Sequence, residues 1–250
     1  MAIKTILVSQ PKPEGTKSPY FDLAKKYNLK IDFRSFIQVE GVPVQEFRKQ
    51  KVNLSDHTAI ILTSKTAVDH FFRIAEEMRF EVPDTMKYFC ISEAVAYYLQ
   101  KYVTYRKRKI FFGKQTIVDL VDVLRKHKKE KFLLPCTDIL RDKIPETLSE
   151  NEIDFTKAVL YRTVAADLSD LENVYYDMLV FYSPAGLESL FKNFPNFKQN
   201  ETLIAAFGPT TANAVVKHNL RLDLHAPQPN APSMTGAIEN FVKDYNKGKK

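Results

Sequence analysis

The chain has 250 residues, 44% hydrophobic and 27% charged, with 7 Gly and a formal net charge of +7. That length suits one large domain or two of about 125 residues, and the composition excludes a disordered or fibrous protein. The positive balance invites an anionic partner, but no basic face interleaved with aromatics sits inside a recognisable module. Nucleic acid is therefore not expected, and a small polycarboxylate is the better match.

The N-terminal MAIKTILVSQ lacks the apolar core and cleavage site of a signal peptide and reads as a first strand, Ile3 to Val8. Further apolar runs follow at Ile31 to Val39, Ala59 to Leu62, Phe89 to Ile91, Ile110 to Phe112 and Phe132 to Leu134. The series continues at Ile153 to Tyr161, Met178 to Phe181, Ile204 to Phe207 and Leu222 to His225. Amphipathic stretches such as Ile117 to Lys126 and Thr235 to Tyr245 lie between them. Strands alternating with helices predict an α/β protein whose parallel sheets are covered on both faces. No run approaches the roughly 18 apolar residues of a membrane span. A cytoplasmic protein without membrane contact is expected.

The chain nearly repeats itself. AIILTSKTAVDHFF (59–72) returns as MLVFYSPAGLESLF (178–191), YFCISEAVAYYL (88–99) as IAAFGPTTANAV (204–215), and NLKIDF (28–33) as NEIDF (151–155). Three matches in one order predict two similar halves. Phe33 to Val39 and Phe155 to Thr163 are longer extended runs at matching places, read as crossings between two lobes. One lobe is then 1–34 with 167–250, the other 42–155, and the linker strands are 35–41 and 156–166. Periodicity alone also allows one contiguous lobe per half.

In open parallel sheets ligands bind outside the carboxyl ends of the strands. Hydroxyls cluster there: Thr63 and Ser64, Ser92, Ser183, and Thr210 with Thr211. Each would cap the next helix by accepting a backbone N–H bond. The same geometry, free N–H groups at the positive end of a helix dipole, also suits a carboxylate. Gly208 and Pro209 make the last turn tight enough for close backbone approach. Neither GxGxxG nor a P-loop occurs, so dinucleotide and nucleoside triphosphate binding lose support. Cys90 and Cys136 sit in apolar runs and read as small buried hydrophobes, and the five histidines lack metal-ligand spacing. His225, at a strand end, reads as a surface residue.

VFYSPAGLESLF, AAFGPTTANAV, VLYRT and a Pro-rich loop carrying Ser233 before a terminal helix together resemble the uroporphyrinogen-III synthase family. LLPCTDILRDKIPETL resembles the same family's segment with an Arg ahead of a helix. The likeness covers essentially the whole chain and is strongest from 131 to 236. It implies two flavodoxin-like parallel-sheet lobes joined by a pair of extended linker strands, with an active-site cleft between them. It also implies a lyase of heme biosynthesis that cyclises hydroxymethylbilane, inverting the terminal pyrrole ring and losing water. The family's plan needs no metal or cofactor, and a monomer is expected.

Carried over by motif, Tyr161 would position or protonate the departing hydroxyl, the phenol serving as a weak acid. Thr210, Thr211 and Ser183 would hold carboxylates in one lobe, Thr63 and Ser64 in the other. Gly208, Ser92 and Ser233 complete the binding turns, and Arg141 would supply a fixed positive charge. Two departures from the family pattern stand out. Ser9 and Gln10 replace a common Thr-Arg, and Val95 stands near a common Thr. They leave room for an alternative in which a two-lobed tetrapyrrole- or anion-binding regulatory module has lost catalysis.

Overall fold

The computed structural model describes residues 2–138 and 143–248. The chain divides into two compact units, Met1–Gln38 with Val164–Lys250, and Val39–Thr163. Unit 1 opens with β1 (Thr5–Val8), α1 (Pro19–Tyr27) and β2 (Lys30–Phe33). The chain then runs along β3 (Ile37–Gly41) into unit 2. There α2 (Val44–Lys49), β4 (Ala59–Leu62), α3 (Lys65–Glu77), β5 (Lys87–Cys90), α4 (Glu93–Leu99) and β6 (Ile110–Phe112) follow. Next come α5 (Val121–Lys126), β7 (Phe132–Thr137) and α6 (Lys143–Glu150). The long β8 (Phe155–Ala165) carries the chain back to unit 1, which finishes with β9 (Met178–Phe181), α7 (Pro184–Asn193), β10 (Leu203–Phe207), α8 (Pro209–Lys217), β11 (Leu224–Ala226) and α9 (Met234–Lys247).

The sheet of unit 1 has the order β11-β10-β9-β1-β2, with every adjacent pair parallel. Its two faces bury alternate residues of the same strands, as a period of two requires. Ile6, Val8, Met178 and Val180 pack with Leu23 of α1 and Ile238 and Val242 of α9. Leu7, Leu179, Phe181 and Ile204 face the other way, toward Leu187 and Leu190 of α7 and Val215 of α8. Strands covered on both faces cannot alternate polar and apolar residues. All four positions of β9 and of β4 are accordingly buried, each large side chain contributing about 1.5–3 kcal/mol.

Unit 2 repeats the scheme in the order β8-β7-β4-β5-β6, again parallel, with β3 added outside β8. Ile60, Leu62 and Cys90 pack with Val68 and Phe71 of α3 and Ala96 and Leu99 of α4. Ile61, Phe89 and Leu134 face Leu124 of α5 and Leu148 of α6. β3 and β8 run antiparallel: Ala166 N donates to Phe36 O and Val42 N donates to Leu160 O, so numbering rises on one strand as it falls on the other.

The single strand expected over Ile31 to Val39 is two, β2 and β3, broken at Arg34-Ser35-Phe36. Phe36 is 1% exposed and turns inward, edge-on to Phe181 at 5.7 Å, while Ser35 Oγ donates to Ile37 O. Burying one aromatic ring outweighs continuing the ladder there. The stretch Ile117 to Lys126 likewise begins as a 3-10 turn before α5.

Candidate functional site

In each unit two neighbouring strands lead their chains to opposite sides of the sheet, opening a crevice at their carboxyl ends. In unit 1 these are β1 and β9, and in unit 2 β7 and β4. Of the hydroxyls expected from the sequence, Ser183, Thr63 and Ser64 stand at these ends, while Ser92 and Thr210 follow the neighbouring strands β5 and β10. Ser183, after β9, caps α7 by accepting from Gly186 N at 3.2 Å. Ser9, after β1, is nearby: a methyl placed on Gly186 would lie 3.6 Å from both Ser9 Oγ and Ser183 Oγ. Both hydroxyls therefore border the first turn of α7.

After β10 the chain enters α8 through Gly208, whose φ of 81° lies in the region that favours glycine. This is the one strand-end turn named above where no side chain caps the helix. The N–H groups of its first turn are left to other acceptors. Thr210 is exposed beside them, whereas Thr211 is 1% exposed and faces the core. In the repeat Thr211 matches Val95, itself 6% exposed. Position 95 therefore serves packing, and the outward hydroxyl at the equivalent turn of unit 2 is that of Ser92. Ser233, exposed, caps α9 by accepting from Gly236 N at 3.1 Å.

In unit 2 Ser64 follows the half-buried Thr63 and caps α3, accepting from Ala67 N at 3.0 Å. Ser92 caps α4 more weakly, at 3.4 Å from Val95 N. Tyr161 reaches the same edge from β8. Cys136 pairs with Val159 but Thr137 pairs with Tyr161, so Leu160 is an extra residue in β8. Such a bulge re-aims the side chains beside it. Burial pushes the Tyr161 phenol above its ordinary pKa, and a hydrogen bond with the Ser64 side chain draws it partly back. The phenol therefore remains protonated throughout the neutral range. Arg141 lies outside the described residues.

Sequence reasoning passed over two residues of α3. The His70 ring stacks on Tyr161 with centroids 5.2 Å apart and planes 20° from parallel. Arg73 Nε donates to His70 Nδ1 at 3.2 Å. Burial lowers the His70 pKa and the Arg73 charge lowers it further, while Asp69 opposes them. The imidazole is neutral at pH 7. Their spacing of three along a helix was the only sequence signal; nothing in the sequence pairs them with a strand almost a hundred residues away.

Both cysteines are buried, Cys90 with its thiol pushed up to about 12 and Cys136 raised also, so neither offers a thiolate. No group of three His, Cys, Asp or Glu placed to hold a metal occurs among the described residues, and none of the described helices is long and apolar enough to cross a membrane. A cavity of about 410 Å³ in unit 1, lined by Leu7, Phe36, Tyr176, Leu179 and Phe197 among others, includes none of the strand-end hydroxyls.

A family model described as uroporphyrinogen-III synthase HemD matches residues 21–236. The solved uroporphyrinogen-III synthetase of Helicobacter pylori 26695 is 17% identical, with 96% of this chain and 99% of that one covered and a TM-score of 0.56. A mutant uroporphyrinogen III synthase of the extremely thermophilic bacterium Thermus thermophilus is 14% identical, covering 98% and 99%, with a TM-score of 0.47. At 17% identity the likeness to the Helicobacter pylori structure describes the fold alone. No curated protein matches the chain.

Proposed function

Because the chain belongs to the uroporphyrinogen-III synthase family of porphyrin biosynthesis, we propose that it cyclises hydroxymethylbilane to the type III isomer, inverting the terminal pyrrole ring and releasing water. The observation that carries this reading is Tyr161, a protonated phenol re-aimed by a bulge to the carboxyl edge of the unit 2 sheet, beside Ser64. Tyr161 donates its proton as the terminal hydroxyl departs as water, leaving an azafulvene cation. The substituted carbon of the last ring attacks that cation to give a spiro intermediate, which reopens and recloses through the ring's free carbon. The proton lost from that carbon balances the one spent at the start.

Pyrrole electron density drives each step, so the reaction is proposed to need neither metal nor cofactor. The protein's task is to hold a reactive chain in the geometry that inverts, because closure without inversion is chemically available. The acetate and propionate groups of the substrate are matched by donors at the strand-end turns of each unit: Ser64 and Ser92 in unit 2, and in unit 1 Thr210 with the uncapped N–H groups of α8, Ser183 and Ser233.

The test generates hydroxymethylbilane in situ, adds the purified protein, oxidises the products and separates the uroporphyrin isomers. A predominance of type III is expected. Type I alone, as in a protein-free control, would overturn the reading and leave a regulatory binding module in its place.

A further inference from the structure

We propose that His70, held in one tautomer by Arg73, is a positioning residue that fixes the Tyr161 ring. The inference rests on the role given to Tyr161 above and deepens it. Arg73 is a pure donor, so the bond from its Nε to His70 Nδ1 requires a lone pair on Nδ1 and places the imidazole proton on Nε2. The neutral ring so oriented lies nearly parallel to the phenol ring of Tyr161.

The same guanidinium holds the backbone that carries Tyr161. Arg73 Nη2 donates to Leu160 O at 3.1 Å, the carbonyl immediately before Tyr161, and to Val42 O at 2.9 Å just after β3. Nη1 is anchored by Glu77 at 2.6 Å. One planar fork thus ties the strand carrying Tyr161 and the ring stacked on it to a single helix. Gly41 makes room for this arrangement, since a Cβ there would stand 2.9 Å from Nε, Cζ and Nη2 of Arg73. An ordinary surface arginine needs none of this. The convergence of a tautomer lock, a ring stack and a carbonyl clamp at one tyrosine is what a site needs to hold a reacting group within a fraction of an ångström.

The test is a double-mutant cycle on type III formation, combined with the tyrosine 13Cζ spectrum. The Tyr161 signal is identified by its absence in Tyr161→Phe. His70→Ala is expected to lower kcat about ten- to a hundredfold with KM changed less than about threefold. In the Tyr161→Phe background the same change is expected to cost less than about twofold, because residues that act through one another are non-additive. Equal losses in both backgrounds, or no loss in the wild type, would overturn the proposal. The Tyr161 resonance should shift or broaden in His70→Ala and stay close to wild type in His70→Phe, which keeps the stack. A resonance unmoved by His70→Ala would overturn the proposal whatever the activity. A moved resonance in a protein that yields only type I would uphold the positioning and reject the synthase reading. Gly41→Ala, which displaces Arg73 while leaving both rings intact, is expected to reproduce the resonance shift and guards against a folding defect in His70→Ala; no shift there would count against the clamp.

Discussion

In the proposed reaction Tyr161 is the proton donor, and its burial sets how it would act. Desolvation keeps the phenol neutral, which suits the proton donor proposed above and not a phenolate base. Tyr161→Phe retains the ring and its stack on His70, so folding should be unaffected while kcat falls about 10²- to 10⁴-fold, the usual span for a lost acid; turnover within twofold of wild type would remove Tyr161 from the mechanism. The two adjacent threonines separate by direction. Thr210→Val removes an exposed donor and should weaken substrate binding by about 1.5–3 kcal/mol, on the order of 10- to 150-fold in KM, whereas Thr211→Val, buried like Val95, should leave KM nearly unchanged. Equal effects of the two would sink the assignment of Thr210. His70 makes a separate prediction for stability. Its folded pKa is depressed, so its contribution is present above the ordinary imidazole value of about 6.5 and is lost as pH falls below it toward the lowered value. Thermal midpoints followed between pH 7 and pH 5 should decline less in His70→Gln than in the wild type; parallel curves would refute the depressed pKa.

At the scale of elements, what was legible is what local chemistry dictates. Ser64, Ser92, Ser183 and Ser233 each follow an apolar strand or loop and open an amphipathic run, and each is an N-cap, because a β-region serine before a helix satisfies an orphan N–H wherever it occurs. The same logic failed where structure depends on a partner element. The bulge at Leu160 exists only relative to β7, the antiparallel run of β3 only relative to β8, and the break at Phe36 only because Phe181 waits for its ring. No local pattern marks any of them. The inward turn of Thr211 and the stack of His70 on Tyr161 were hidden for the same reason. Ser64 joins both classes, a legible cap that also bonds an unforeseen phenol. Ser64→Ala should therefore cost about 0.5–2 kcal/mol in urea unfolding through the lost cap, and also reduce kcat. Ser92→Ala should show the stability loss without a comparable fall in kcat; the reverse pattern would contradict the geometry.

At the scale of the molecule, the repeat seen in the sequence is a repeat of structure with the chain cut at a different point. β9, β10 and β11 of unit 1 match β4, β5 and β6 of unit 2 in order and in covering helices, and β1 and β2 match β7 and β8. Unit 2 meets its strands without interruption, while unit 1 leaves after β2 and resumes at β9. A fragment of residues 39–163 should accordingly unfold cooperatively in denaturant when expressed alone, because its sheet is complete. A fragment of 164–250 should not, because β9 lacks β1 beside it and α9 lacks α1; cooperative unfolding of that shorter piece would contradict the division. The interruption also sets a timetable at the ribosome. β1 and β2 leave the ribosome before β9, so Ile6 and Val8, both fully buried in the folded protein, at first have only α1 to cover them. At translation speeds of about 5–20 residues per second, the wait until β9 appears is on the order of ten seconds, during which all of unit 2 is made and closes. The nascent chain thus carries incompletely covered apolar strands for as long as the whole of unit 2 takes to be made.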